Sequence, residues 1–301
     1  DIAQQYHQEG YLVFDQAFAE VQSDLDQAVQ ALTSGANQPF AQDVRRQASS
    51  GQAPSFTAGQ QIAWVQYEAG TDLGAQGGLL QPAAADKVRK LMGFVGYEAA
   101  IDAVVHHPVL LQLVAQLLNC TSTNELELFQ SQALLKPAGG GREKPWHQDN
   151  AYFDIGIEDT AVVGCWIAID KATPENGCLR MLTAGHQAGP RPHFAVRDYQ
   201  ICDDEILACR SSSPGDVINT TTTTTTTTTA PATDVVAIAL PPGGMVLFDG
   251  MVPHGTPTNL TNQRRRALQF HWIKKGTRRV GEKEPGGRAE VFGGAWNGLT
   301  C

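Results

Sequence analysis

Between Asp15 and Leu32 the apolar residues Phe18, Val21, Leu25, Val29 and Leu32 recur three or four positions apart. That spacing gathers them on one face of a helix, so an amphipathic α-helix is predicted there. A second helix is predicted in "HHPVLLQLVAQLL", residues 106–118, where Pro108 suits a first helical position and Leu110, Leu113, Val114, Leu117 and Leu118 share a face. Between them, Thr33 to about Gln60 is polar and carries Gly and Ser, which predicts a loop or lid. The first 119 residues are therefore expected to be mostly helical.

After Asn119 the pattern changes to short apolar runs: "LELFQSQALL", "AVVGCWIAI", "GCLRML", "VVAIAL", "MVLFD" and "RALQFHWI". Their lengths, and breakers such as "PENG" and "PPGG", predict an all-β sandwich or barrel with helices packed outside. The expected organisation is one domain over 1–301: a mostly helical part to 119, a β core over 120–280 and a tail over 281–301. Ten threonines, Thr220–Thr229, interrupt the β half. They have no apolar face and predict an exposed loop that folding does not need.

Composition narrows the class. Of 301 residues, 42% are apolar and 18% charged, which suits a globular chain with a sizeable core. The net charge of −9, with Arg264–Arg266 as the one basic run, argues against a nucleic-acid partner. No apolar run approaches the ~18 residues of a membrane span, and no membrane partner is expected. Six cysteines without a Cys-x-x-Cys pair fit neither a zinc ribbon nor a disulfide framework, so an intracellular, cytoplasmic setting is expected. The oligomeric state is left open.

The candidate chemistry lies in "KPWHQDNAYFD", residues 144–154. If this stretch is extended, His147 and Asp149 point to one side and Gln148 to the other. An imidazole nitrogen with a carboxylate oxygen suits a divalent transition metal, and a third ligand must come from elsewhere. Among the other histidines, His254 in "LFDGMVPHGTPTN" stands just after an apolar strand where a turn begins, a place from which a ligand can reach inward. His271 reads as an ordinary residue of a strand, and His186 and His193 as loop residues.

The segments "WHQD" with a Tyr three residues on, "WIAIDKATPENGCLRMLTAGH" and "PPGGMVLFDGMVPHGTPTNLTNQRRRAL" together resemble the phytanoyl-CoA dioxygenase family of iron(II)- and 2-oxoglutarate-dependent oxygenases. The resemblance runs from about Val88 to Lys275. It implies a double-stranded β-helix, a mainly β jelly-roll or cupin-like barrel with the N-terminal helices packed outside. It also implies iron(II) held by His147, Asp149 and His254, with 2-oxoglutarate and O2 as co-substrates. The family's co-substrate arginine lies eleven residues after the distal His, which corresponds here to Arg265. Thr256 matches an assisting hydroxyl, Lys90 a lysine of the co-substrate pocket, and Trp166 a lining position; Gln130 and Tyr152 match contacts to the prime substrate. "LTAGH" departs from the family's Pro-Gly-Ser-His turn, which makes His186 a turn residue.

Strand geometry separates the three arginines. In "RRRALQFHW", Arg265, Ala267, Gln269 and His271 share one face, suited to a polar pocket, whereas Arg264, Arg266, Leu268, Phe270 and Trp272 share the other. The reaction expected from the resemblance is hydroxylation, or a related C–H oxidation, of a small organic substrate, with release of succinate and CO2. Halogenating relatives lack the carboxylate that Asp149 supplies, so oxygenation is expected over chlorination. The alternatives are a non-catalytic metal-binding jelly-roll acting as sensor or structural module, and a metal-dependent hydrolase on a cupin-like barrel.

Overall fold

A computed structural model describes residues 2–51, 62–75, 77–153, 162–194, 200, 201, 203, 206 and 234–277. The Thr tract, residues 52–60 of the expected lid and the tail after 281 lie outside these.

The helices form where the apolar spacing places them, with local devices setting their ends. Helix α1 spans Ile2–Glu9, α2 Gln22–Ser34, α3 Gln38–Ser49, α4 Ala99–Val105 and α5 Pro108–Leu117. Helix α2 starts later than Asp15 and stops at Gly35, whose φ of 75° is the left-handed cap that glycine adopts without steric cost. Pro108 opens α5 as expected. Helix α3 corrects the expected loop after Thr33. The Asn37 side chain accepts the Phe40 N–H, Pro39 occupies the first turn, and Phe40, Ala41 and Val44 are buried. Among the described residues no single helix is long and apolar enough to cross a membrane.

Eleven strands are described, and the six apolar runs after Asn119 supply six of them: β4 (Leu126–Lys136), β6 (Val163–Ala168), β7 (Leu179–Leu182), β8 (Val235–Ile238), β9 (Met245–Asp249) and β11 (Arg265–Lys274). The short β5 (Lys144–His147) and β10 (His254–Thr256) complete that half. The N-terminal part is not only helical. It adds β1 (Tyr11–Phe14), β2 (Trp64–Tyr67) and β3 (Val88–Met92) to a seven-stranded sheet ordered β1-β9-β6-β11-β4-β3-β2. The facing sheet is β5-β10-β7-β8. Two opposed antiparallel sheets joined in this order make the jelly-roll barrel.

Strand β11 sits at the centre of the large sheet, and from Arg265 to Ile273 every residue is buried. Leu268, Phe270 and Trp272 pack with Leu25, Val29, Phe40 and Val114 under the helices. Ala267 packs on the opposite face with Trp166, Val246 and Phe248 between the sheets. The alternation read from "RRRALQFHW" is therefore the one observed.

Arg266 fastens the outer side. Its Nε donates to Asp170 Oδ2 at 2.9 Å and its Nη2 to Asp170 Oδ1 at 2.7 Å, and Nη2 also reaches Asp26 on α2. Burial opposes its charge, but the hydrogen bonds and charges of Asp170 and Asp26 outweigh it and hold its pKa above the usual value. Truncating one partner of a buried pair strands the others, at a cost of about 2–4 kcal/mol at this depth. Arg266→Ala should therefore lower the unfolding free energy from urea titration by that amount while leaving 2-oxoglutarate affinity within twofold; a large affinity loss instead would place this side chain, and not Arg265, in the pocket.

Candidate active site

Strands β5 and β10 pair antiparallel with His147 directly opposite His254. Facing residues point to the same side of a sheet, and the two imidazole centroids lie 4.2 Å apart. Each ring is aimed by its own backbone: His147 Nδ1 donates to Pro145 O at 2.8 Å and His254 Nδ1 to Val252 O at 2.9 Å. With Nδ1 committed to the backbone, each ring turns its Nε2 towards Asp149. His254 thus opens a strand, where the sequence suggested the start of a turn.

Asp149 reaches the same point by a different route from the one expected. Gln148 is extended, so the alternation holds, but the strand ends at His147 and Asp149 begins a 3-10 turn over Asp149–Ala151. This turn is docked on the β9–β10 connection, where Asn150 N donates to Gly250 O and Gln148 Nε2 donates to Met251 O. A Cβ at Gly250 would lie 2.1 Å from Asn150 Oδ1, so any larger residue would displace the Asn150 side chain from this contact. Asp149 Oδ1 ends 3.3 Å from His147 Nε2 and 3.6 Å from His254 Nε2.

The other carboxylate oxygen is occupied from across the barrel. His271 Nε2 donates to Asp149 Oδ2 at 2.7 Å and Gln269 Nε2 at 3.2 Å. Burial pushes the Asp149 pKa up, yet the charges of His254 and His271 and the hydrogen bond of His271 bring it well below the usual carboxylate range. Burial, reinforced by His147, lowers His254 to about 4. At neutral pH the site therefore presents one carboxylate and a neutral His254.

The donor set fits a divalent first-row metal. One atom each from His147, Asp149 and His254 lies within 4.8 Å of the others, and all three residues are buried. Two imidazoles and one carboxylate on one face leave coordination positions open for further ligands. The outer contacts of the three residues fix which atom each offers.

The site opens on a cavity of about 390 Å³, and all nine residues singled out in the sequence line it. Arg265 Nη1 donates to Leu134 O at 3.2 Å, its guanidinium lies 5.5 Å from the Trp166 ring, and its Nε is buried without a hydrogen-bond partner. Trp166 Nε1 is buried and unpaired in the same way. Orphaned donors around a buried cation fit an anionic ligand such as the carboxylate of a 2-oxo acid. Burial lowers Arg265 to about 10, which still leaves it charged at neutral pH. Thr256 is on β10 beyond His254, Lys90 stands on β3 opposite Leu134, and Gln130 accepts from Gln132 on β4. Tyr152 Oη accepts from Lys144 Nζ at 2.7 Å, and its ring meets His147 edge-on.

Three further contributors were not singled out. Gln269 and His271 hold Asp149, and their place on the Arg265 face of the strand was the available signal. His193 accepts the Gln148 N–H at its Nε2, and burial lowers its pKa to about 3; nothing in its Gly- and Pro-rich surroundings marks it. His186 is a turn contact, its Nε2 lying 3.0 Å from His7 O.

A jelly-roll with two His and one carboxylate opening on such a cavity has the arrangement of the non-haem iron oxygenases. A family model described as phytanoyl-CoA dioxygenase (PhyH) matches residues 6–267, and the chain belongs to the phytanoyl-CoA dioxygenase family. It is 31% identical over 151 residues to the phytanoyl-CoA dioxygenase domain-containing protein 1 of Rattus norvegicus, covering 49% of this chain and 45% of that protein. It is 25% identical over 199 residues to the peroxisomal phytanoyl-CoA dioxygenase of Homo sapiens, covering 62% and 54%. The chain spans about half the length of the curated relatives it matches. EctD from S. alaskensis, solved with 2-oxoglutarate and 5-hydroxyectoine, has the same fold, with a TM-score of 0.61 at 18% identity over 97% of this chain and 86% of that one.

His271→Ala would leave Asp149 free to rotate and Oδ2 short of its strongest donor. Losses of this kind weaken metal binding by roughly 10- to 100-fold. Anaerobic iron(II) titration should show that loss with the circular dichroism spectrum unchanged; wild-type affinity would mean that His271 plays no part in orienting the carboxylate.

Proposed function

We propose that this protein is an iron(II)- and 2-oxoglutarate-dependent dioxygenase that hydroxylates, or otherwise oxidises, a C–H bond of a small polar substrate, with release of succinate and CO2. The observation that carries this reading is the pairing of one buried His147–Asp149–His254 cluster with a buried arginine, its Nε unpaired among the described residues, in the same cavity. A hydrolytic or structural metal site has no use for the second element.

Iron(II) with 2-oxoglutarate and O2 supplies, when bound, an oxidant strong enough to take hydrogen from carbon. The chain's own residues do the positioning. His147 and His254 offer Nε2 because their Nδ1 protons are held by backbone carbonyls. Asp149 offers Oδ1 because His271 and Gln269 hold Oδ2. Arg265, with Thr256, Lys90 and Trp166, would hold the co-substrate carboxylate and fix its angle of approach. The Asp149 carboxylate occupies the place that a halide would need, which favours oxygenation over halogenation.

Substrate polarity is read from the remaining wall. Gln66, Gln130, Gln132 and the Lys144–Tyr152 pair line the cavity among the apolar Trp64, Leu134, Phe153 and Leu179. A long hydrocarbon chain there would bury amides against methylene groups, at about 1–3 kcal/mol for each one left unpaired. A compact substrate rich in oxygen or nitrogen satisfies them instead.

Purified protein with iron, ascorbate, 2-oxoglutarate and a metabolite pool should form succinate, with +16 mass shifts, only when O2 is present. His254→Ala should abolish both with the fold intact; retained activity would remove this ligand assignment. Arg265→Ala should raise the KM for 2-oxoglutarate by roughly 30- to 1000-fold, the equivalent of about 2–4 kcal/mol from a lost charge-assisted contact. Arg264→Ala should leave it unchanged, because Arg264 lies on the outer face beside Asp26 and Asp170.

A further inference from the structure

Arg265 is not the only cation buried in that wall. Lys136, the last residue of β4, stands directly across from Arg265, the first residue of β11. Facing residues of an antiparallel pair extend to the same side, and both side chains line the cavity, Lys136 being 4% and Arg265 1% exposed. Space for the lysine is made by Gly177, where a Cβ would lie 2.9 Å from Lys136 Cδ and 2.6 Å from Pro257 O, at a φ of +87°.

Among the described residues neither cation has a carboxylate partner in hydrogen-bond contact. Lys136 Nζ donates to the Arg142 carbonyl and Arg265 Nη1 to the Leu134 carbonyl. Neighbouring Arg266, facing the other way, has two carboxylates. The charged groups acting on Lys136 are Arg265 from β11, Arg89 from β3, Glu68 just after β2, and Glu143 in the loop before β5. Arg142 in that loop is held by Glu68, with Nε 2.7 Å from Oε2. Two adjacent buried cations are unfavourable unless one is discharged or an anion enters between them. Burial, then Arg265 and Arg89, outweigh the two glutamates and bring Lys136 down to about 6.

We propose that Lys136 is a further cationic binding residue for 2-oxoglutarate, beyond Arg265 and Lys90, sharing a carboxylate of the co-substrate with Arg265. The proposal rests on the 2-oxoglutarate reading above and adds to it a proton. At neutral pH the empty site holds Lys136 largely as the amine, and an arriving dianion favours the ammonium, so binding draws one proton from solvent. The sign follows from linkage: the bound state has the higher lysine pKa, so affinity is greatest below about pH 6 and falls as pH rises towards the bound-state pKa. An otherwise costly pair of like charges is thereby avoided while the site is empty.

The test is calorimetry of 2-oxoglutarate binding to the manganese(II)-loaded protein without O2, at pH 6.5–8.5, in buffers of different ionisation heat. Wild type should take up about one proton per co-substrate near pH 7.5, and log Kd should rise with pH at a slope approaching one. Lys136→Met should bind more weakly at pH 6.5, take up no proton at this site and lose the slope. Lys136→Gln, which keeps a donor for the Arg142 carbonyl, should do the same if the methionine variant folds poorly. Should either folded variant keep the wild-type proton count and slope, or wild type bind without proton uptake, Lys136 is only a staple for the loop after β4 and the proposal fails. Absence of any 2-oxoglutarate binding by wild type would instead overturn the functional reading itself.

Discussion

Strand β11 runs between two interiors, and the two-residue period of an extended chain must serve both at once. Outward, Leu268, Phe270 and Trp272 fill the space under the helices. Inward, Arg265 faces the cavity, and Gln269 and His271 hold the carboxylate of Asp149. A shift of one residue would exchange the two sets, placing Arg265 among leucines and Trp272 in the polar cavity. Register is accordingly secured on both sides, by pairing with β4 and β6 and by Arg266, whose guanidinium joins Asp170 and Asp26. The same alternation that builds the core therefore positions the chemistry.

The limits of sequence reading follow from the same physics. Long apolar strands are legible because burial on both faces leaves a run that few other structures produce, and β4, β6 and β11 are of this kind. Strands β5 and β10, of four and three residues, carry two of the three proposed metal ligands and have no such run; the His-x-Asp spacing and the place of His254 after an apolar strand point to those residues, and resemblance joins them. Helix α3 hid behind Gln and Arg because three buried residues suffice to dock it, and its signal was the cap at Asn37 followed by Pro39. Asp149 was placed on the correct side for a partly incorrect reason, since the chain leaves the strand at His147 and enters a 3-10 turn. His271 and His193 act through distant partners, and a contact between residues more than 40 positions apart leaves no local pattern.

The electrostatics of the cavity run against those of the whole chain. A net charge of −9 belongs to the molecule, yet Arg89, Lys90, Lys136, Lys144 and Arg265 all reach the one cavity. Average charge therefore says little about what a buried site attracts, because field lines are concentrated where low-dielectric walls exclude water. Composition argued against a nucleic-acid surface without indicating the cationic cavity beneath.

The proposed ligands and their supports come from opposite walls. His147 and His254 belong to the small sheet, with Asp149 on the turn that leaves it, whereas His271 and Gln269 belong to the large one. A chain in which the small sheet had formed alone would possess the histidine pair but an unguided carboxylate. Only closure of the barrel delivers the oriented oxygen, so occupancy by metal becomes a gauge of complete folding. Partly folded chains would be left without a competent oxidising centre, and reactive chemistry would start only where the walls already contain it.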